Sequence, residues 1–301
     1  MTTVLIAGAT GMLGSLIATH LLEEDGVDVR LLLREAVPSD AAKSAIIADL
    51  TTRGGHITIG DVTDPSSLTA ATRGVDVVVS ALQGGREIIV DGQIALAEAA
   101  LRGGVRRFIP SDFALDLFAA PDGAPQFDLR KEADAAIDAL DLEVVHILNG
   151  AFMDMMLDPN TAGIVDLAKN SAMLWGTGDE PFNLTTVDDT ARFTARVATD
   201  SADLSGVRMI SGAQTTFNAI IRDTEALTGT TLARNVVGDV DDLRRITSGA
   251  DDPWSVIMQW YFLCMITVPV FATTENERYP DLRLTTLDDY LTTAHRAMQA
   301  S

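Results

Sequence analysis

Cysteine, histidine, lysine and positive charge in general are scarce in this sequence, and each shortage excludes a class of protein. Cys264 is the single cysteine among 301 residues. It leaves no partner for an intrachain disulfide and no thiolate metal site, so a reducing, cytoplasmic setting is expected. Of the four histidines, His20, His56 and His295 are scattered and His146 sits inside an apolar run, where it reads as a core residue. No metal site and no catalytic triad is expected from them. Lys and Arg number 22 against 43 Asp and Glu, a net charge of −21. Such a surface repels phosphate backbones, which excludes nucleic acid as a partner. The first residues lack a basic stretch ahead of a long apolar run, so no signal peptide is expected. The longest apolar stretch, Trp254 to Phe271, contains Ser255, Gln259, Thr267 and Pro269. It is barely long enough for a bilayer and reads as a buried helix or pocket wall, so no membrane partner is expected.

With 47% hydrophobic and 22% charged residues, the chain has the composition of a soluble globular protein of one large or two medium domains. Its most informative stretch comes first. Val4, Leu5 and Ile6 form the apolar run of a strand buried on both faces. Three glycines follow at spacing G-x-x-G-x-x-G, in Gly8-Ala9-Thr10-Gly11-Met12-Leu13-Gly14. An apolar-periodic helix then begins at Met12. In such a turn Gly8 permits the bend, Gly11 lets the backbone approach a pyrophosphate, and Gly14 lets helix and strand pack closely. The phosphates would rest on the N–H groups of Thr10, Gly11, Met12 and Leu13 at a positive helix end.

Short apolar runs then alternate with helical patterns. Strands are expected at Val27–Leu33, His56–Ile59, Val75–Leu82, Arg107–Ile109 and Val144–Leu148. Helices are expected around Ala41–Leu50, after Asp64-Pro65, at Ile88–Leu101 and at Asp128–Leu140. Six strands with intervening helices imply a doubly wound parallel α/β sheet, a Rossmann fold. Beyond Phe152 the rhythm breaks. Helical patterns appear near Thr190–Ala198, Asn218–Thr228, Val256–Met265 and Leu287–Ala300, with a strand-like piece at Val207–Ile210. The expected division is a dinucleotide-binding domain over 1–155 and a smaller substrate-binding region over 156–301, with the return of some later segments to the sheet left open.

The end of the second strand selects the dinucleotide. An acidic residue there accepts from a ribose 2′-hydroxyl, whereas a cation holds a 2′-phosphate. The strand closes Leu31-Leu32-Leu33-Arg34, and Lys43, one of three lysines, follows one segment later. Arg34 can grip phosphate through two donors, which favours NADP(H) despite the adjacent Glu35. Asp61, after the third strand, is placed either to meet the adenine amine or to cap the next helix.

Further motifs resemble the isoflavone reductase-like and NmrA-like group of atypical short-chain dehydrogenases/reductases. They are the glycine turn, Val75-Asp76-Val77-Val78-Val79-Ser80, Arg107-Phe108-Ile109-Pro110-Ser111-Asp112-Phe113, Asn149-Gly150-Ala151-Phe152 and Tyr279-Pro280-Asp281-Leu282-Arg283. The resemblance spans nearly the whole chain. It implies NADPH, with the 2′-phosphate on Arg34 and Lys43. The nicotinamide would lie along Ala81-Leu82-Gln83, Ser111-Asp112-Phe113 and Asn149-Gly150, with Phe152 close by. It also implies hydride delivery to a small, largely aromatic substrate, in a cleft that Met153, Trp254, Trp260 and Phe262 would either line or leave for the core.

Members of the wider superfamily use Tyr-x-x-x-Lys, and none of Tyr261, Tyr279 and Tyr290 has lysine four residues on. The resembling family instead uses a lysine shortly after a phenylalanine. In Phe127-Asp128-Leu129-Arg130-Lys131 that position falls on Arg130, with Lys131 next. Arginine stays protonated and cannot cycle a proton, whereas lysine can. One residue along a helix turns a side chain by about 100°. Lys131 as catalyst after a slip, Arg130 as an orienting group, and surface charges without catalysis all remain open. The expectation is an NADPH-dependent reductase of a small aromatic or conjugated substrate, with a homodimer left open. The alternative is a non-catalytic NADP sensor working through a protein partner.

Overall fold

The computed structural model describes residues 1–35, 39–158 and 161–300. The first part of the chain runs β1 (Thr2–Ala7), α1 (Met12–Leu22), β2 (Val27–Leu33), α2 (Ala41–Thr52), β3 (His56–Ile59), α3 (Pro65–Ala71), β4 (Val77–Ser80), a π-helical turn (Glu87–Gly92) leading into α4 (Gln93–Gly103), β5 (Arg107–Ile109), α5 (Pro125–Ile137) and β6 (Glu143–Leu148). There follow β7 (Ala151–Phe152), α6 (Met153–Met156), β8 (Val165–Asp166), β9 (Ser171–Trp175), β10 (Phe182–Thr185), α7 (Val187–Thr199) and β11 (Gly206–Met209). The remainder is β12 (Ala213–Thr215), α8 (Phe217–Thr228), β13 (Ala233–Gly238), α9 (Val240–Gly249), a short 3₁₀ turn (Pro253–Val256), α10 (Ile257–Thr267) and α11 (Leu287–Ala300).

Seven strands form the main sheet in the order β11-β6-β5-β4-β1-β2-β3. Pairings β1–β2, β1–β4, β2–β3, β4–β5 and β5–β6 are all parallel. This is the doubly wound order, reversing direction at β1/β4, and the carboxyl ends of those strands form the ligand-binding edge of such sheets. The run Val75–Leu82 yields a shorter strand than its apolar character suggests. The Asp76 carboxylate accepts the Thr3 N–H at 2.7 Å, which commits that residue before β4 begins. Val4, Leu5 and Ile6 are wholly buried, as a central parallel strand demands, and each such side chain stabilises the fold by roughly 1.5–3 kcal/mol. Leu5, Leu32, Leu68, Val78, Leu96, Phe108 and Ile137 share one core.

The chain forms two compact units. One comprises Met1–Phe113, Asp128–Ile147 and Thr190–Arg208; the other comprises Ala114–Phe127, Leu148–Asp189 and the chain from Met209 onward. The division is therefore not a single cut near residue 155, because residues 114–127 join the second unit and residues 190–208 return to the first. The second unit holds two three-stranded sheets, β12-β10-β7 and β13-β9-β8. Its core includes Trp175, Phe182, Phe217, Phe262 and Leu263, with the Phe182 and Phe217 rings edge to face at 5.2 Å. The apolar stretch from Trp254 becomes α10, whose Trp260, Phe262, Leu263 and Cys264 are buried in that core. Among the described residues no helix is long and apolar enough to cross a membrane.

Candidate functional site

Two of the three glycines in the turn have no room for a side chain. Gly8 adopts φ +90°, and a Cβ there would stand 2.4 Å from the Ala81 carbonyl oxygen; a Cβ on Gly14 would stand 2.2 Å from the Gly8 oxygen. The Gly11 N–H donates to that same oxygen at 2.9 Å. Gly11 is the N-cap of α1, and no side chain caps the helix. The N–H groups of the first turn thus meet a positive helix end that no carboxylate or hydroxyl occupies. Gly11 and Met12 are exposed while Thr10 and Leu13 are half-buried, so the shelf is open on its outer side. Its steric void and bare donors fit a pyrophosphate.

Arg34 follows the last residue of β2 and is exposed, as is Lys43 in the first turn of α2. Glu35 accepts the Ser39 N–H at 3.3 Å, so part of its carboxylate is engaged within its own loop. Asp61 accepts from the Thr63 N–H and hydroxyl, both at 2.9 Å, while Asp64 caps α3 through the Ser66 N–H. Of the two aspartates, the cap is Asp64.

At the carboxyl ends of β4 and β5 the expected residues converge. The Ser111 hydroxyl donates to the Leu82 carbonyl at 2.7 Å, and the Ser111 N–H donates to Gln93 Oε1 at 2.8 Å. Arg130 Nε donates to the Ser111 carbonyl at 2.7 Å. Ala81 is tied to β1 through its N–H to the Ala7 oxygen at 2.8 Å, and Gln83 is exposed. Phe113 is half-buried. Lys131, one position past Arg130, is paired along its own helix with Asp128 at 3.1 Å. The residue that reaches the Ser111 loop is the arginine.

Asp112, expected to face the cofactor, instead directs a fully buried carboxylate inward. Its Oδ2 lies 2.7 Å from His146 Nδ1, and His146 Nε2 lies 3.0 Å from Asp138 Oδ1. Asp134 Oδ1 is 4.0 Å from the same Nδ1. Burial, then the Asp112 charge, push the Asp134 carboxyl up to about 9. Burial pulls the His146 imidazole down, but the Asp112 hydrogen bond and the surrounding carboxylates outweigh it and raise it to about 9. The sequence reading missed this cluster. Its trace was the fourfold spacing Arg130, Asp134, Asp138, which places three charged groups along one helix face.

In the second unit, the Asn149 and Gly150 N–H groups both donate to the Ala114 carbonyl, at 2.9 and 3.0 Å. Gly150 has φ +74°, and a Cβ there would lie 2.3 Å from the Asn183 oxygen. Asn149 is fully buried, yet neither polar atom of its carboxamide has a hydrogen-bond partner among the described residues. A bare buried amide of this kind suits a ligand carrying its own amide. Phe152 is half-buried at the end of β7. Met153, Trp260 and Phe262 belong to the unit's core, whereas Trp254 is exposed. A small pocket in this unit is lined by Leu115, Ala151, Phe182, Asn183, Cys264 and Phe271, among others.

Known proteins resemble the whole chain. The chain is 28% identical over 304 residues to phenylcoumaran benzylic ether reductase Pyrc5 of Pyrus communis, covering 96% of this chain and 97% of that protein. It is 29% identical over 308 residues to pinoresinol reductase 1 of Arabidopsis thaliana, covering 96% of each. Its fold matches the solved structure of AtPrR2 with NADP+ and (+)pinoresinol with a TM-score of 0.82 and 26% identity, over 97% of this chain and 98% of that one. Residues 1–291 match the model of the NmrA-like family. With its glycine shelf, its doubly wound sheet and near end-to-end matches to these reductases, the chain belongs to the NmrA-like family.

Proposed function

We propose that this protein is an NADPH-dependent reductase that transfers hydride to a small aromatic or conjugated substrate, such as a carbonyl, an enone or a benzylic ether. The observation that carries the reading is the bare amino end of α1 behind a three-glycine turn in which Gly8 and Gly14 admit no side chain, followed one strand later by an exposed arginine. Relatives named as reductases of phenylcoumaran benzylic ether and pinoresinol support the substrate class. The first turn of α1 would hold the pyrophosphate, and Arg34 and Lys43 the 2′-phosphate. Bound NADPH supplies a hydride from its nicotinamide ring, and the protein's share is orientation and charge.

Arg130 is the residue for that share. Its Nε donates to the Ser111 carbonyl at 2.7 Å, which fixes a permanent cation against the loop after β5, where a guanidinium can stabilise an anion or a developing oxyanion. It cannot deliver a proton. Lys131 can, but its ammonium is occupied by Asp128. Hydride transfer gains most from positioning, so an arginine at this place is compatible with turnover. The test is steady-state NADPH oxidation over a panel of aromatic carbonyls, enones and benzylic ethers. Arg130→Ala is expected to lower kcat about 10²-fold, as removal of an oxyanion donor does, and Lys131→Ala to change it less than about threefold. Equal indifference to both substitutions would remove α5 from the chemistry. Tight NADPH binding with no panel member reduced would make the protein a cofactor sensor instead.

A further inference from the structure

We propose that Asp112, Asp134 and His146 form a binding site for one divalent cation of the manganese-to-zinc group. The loop after β5 supplies Asp112, α5 supplies Asp134 and β6 supplies His146. One ligand atom from each lies within 4.8 Å of the others, and all three residues are buried. Asp134 carries the argument. It is 1% exposed, yet neither of its oxygens has a hydrogen-bond partner among the described residues, and Asp112 Oδ1 is a third oxygen in the same state. Protein interiors rarely leave buried carboxylate oxygens without donors, and a cation satisfies several at once.

The far side of the imidazole agrees. A metal-bound histidine usually passes its other N–H to a carboxylate, which fixes the tautomer and ring orientation. Here Asp138 Oδ1 stands 3.0 Å from Nε2, and its side chain is 52% exposed, giving the cluster an end toward solvent. Two carboxylates balance a divalent charge with the imidazole neutral. Carboxylate oxygens suit manganese, and imidazole suits zinc. Bound there, the cation would tie α5 to the Ser111–Phe113 loop and to β6. This site is independent of the reductase reading.

The test uses the full chain. Protein is purified from medium supplemented with manganese or zinc and its metal content measured by plasma mass spectrometry. Chelator-treated protein is then titrated with Mn²⁺ alone and Zn²⁺ alone by calorimetry. The expected result is one equivalent per chain and a thermal midpoint raised by the metal. In Asp134→Asn the affinity should fall at least tenfold, and in the half-exposed Asp138→Asn several-fold, with NADPH binding retained in both as the check of folding. Sites on the acidic surface would survive both substitutions. Failure of either metal to bind, or binding unchanged in folded Asp134→Asn, would overturn the proposal and leave Asp134 as a buried neutral acid.

Discussion

A methyl group at Gly14 is the sharpest probe of the glycine shelf. The Cβ of Gly14→Ala would lie 2.2 Å from the Gly8 oxygen, 2.8 Å from the Gly8 carbonyl carbon and 3.3 Å from the Ala81 Cβ. The two closest atoms are backbone, so no rotamer change relieves the clash. Relaxing it toward an ordinary contact moves α1 or the turn by roughly 1 Å. Such overpacking costs about 1–3 kcal/mol, of which the better helix propensity of alanine returns about 1 kcal/mol. Binding suffers more, because the displaced carbonyl also accepts the Gly11 N–H and so sets the aim of the first-turn amides. Loss of one hydrogen bond to a charged phosphate is worth about 1.5–3 kcal/mol, a ten- to hundredfold rise in Kd. NADPH fluorescence titration gives that constant, and a urea melt of the same sample gives the stability. An unchanged Kd in folded Gly14→Ala would refute the claim that the cofactor rests on this turn.

Two further substitutions separate cofactor selection from scaffold. Arg34→Ala should raise the Kd for NADPH about ten- to hundredfold while leaving NADH within about twofold, since only the former carries the 2′-phosphate; parallel titrations check it, and equal losses would place the arginine elsewhere. Arg107 is fully buried, its guanidinium bonded to Glu143 at 2.9 and 2.5 Å and to the carbonyls of Val197, Asp200 and Ala202. Arg107→Met leaves Glu143 to the more exposed Arg106 and removes the donor to three carbonyls, and should destabilise the protein by at least about 1–3 kcal/mol in urea melts, with any folded fraction still binding NADPH.

The sheet was readable because its inner strands are buried on both faces. Continuous runs such as Val4–Ile6 and Val144–Leu148 announce themselves, and capping signals such as Asp64-Pro65 mark the helices. The second unit was opaque for the opposite reason. Strands of two to six residues, such as Ala151–Phe152 and Ala213–Thr215, are too short to show a period, and their partners lie far along the chain. In the candidate site, the tight glycine turn and the exposure of Arg34 at the end of β2 were legible because backbone conformation and strand termini are local properties. The aim of Asp112 was not, because it depends on a histidine 34 residues away. Arg130 and Lys131 divide by helical phase alone. Their neighbours decide which one turns toward Ser111, and a residue count does not reveal that.

Arg107 also bears on how the protein can be made. Its carbonyl partners at Val197, Asp200 and Ala202 lie 90, 93 and 95 positions downstream. A chain ending at β6 already contains six strands and the Glu143 carboxylate, but it buries a guanidinium whose three carbonyl acceptors are absent. A fragment ending near residue 155, tempting as a minimal nucleotide module, would lack the stretch 190–208 that belongs to the same compact unit and supplies those carbonyls.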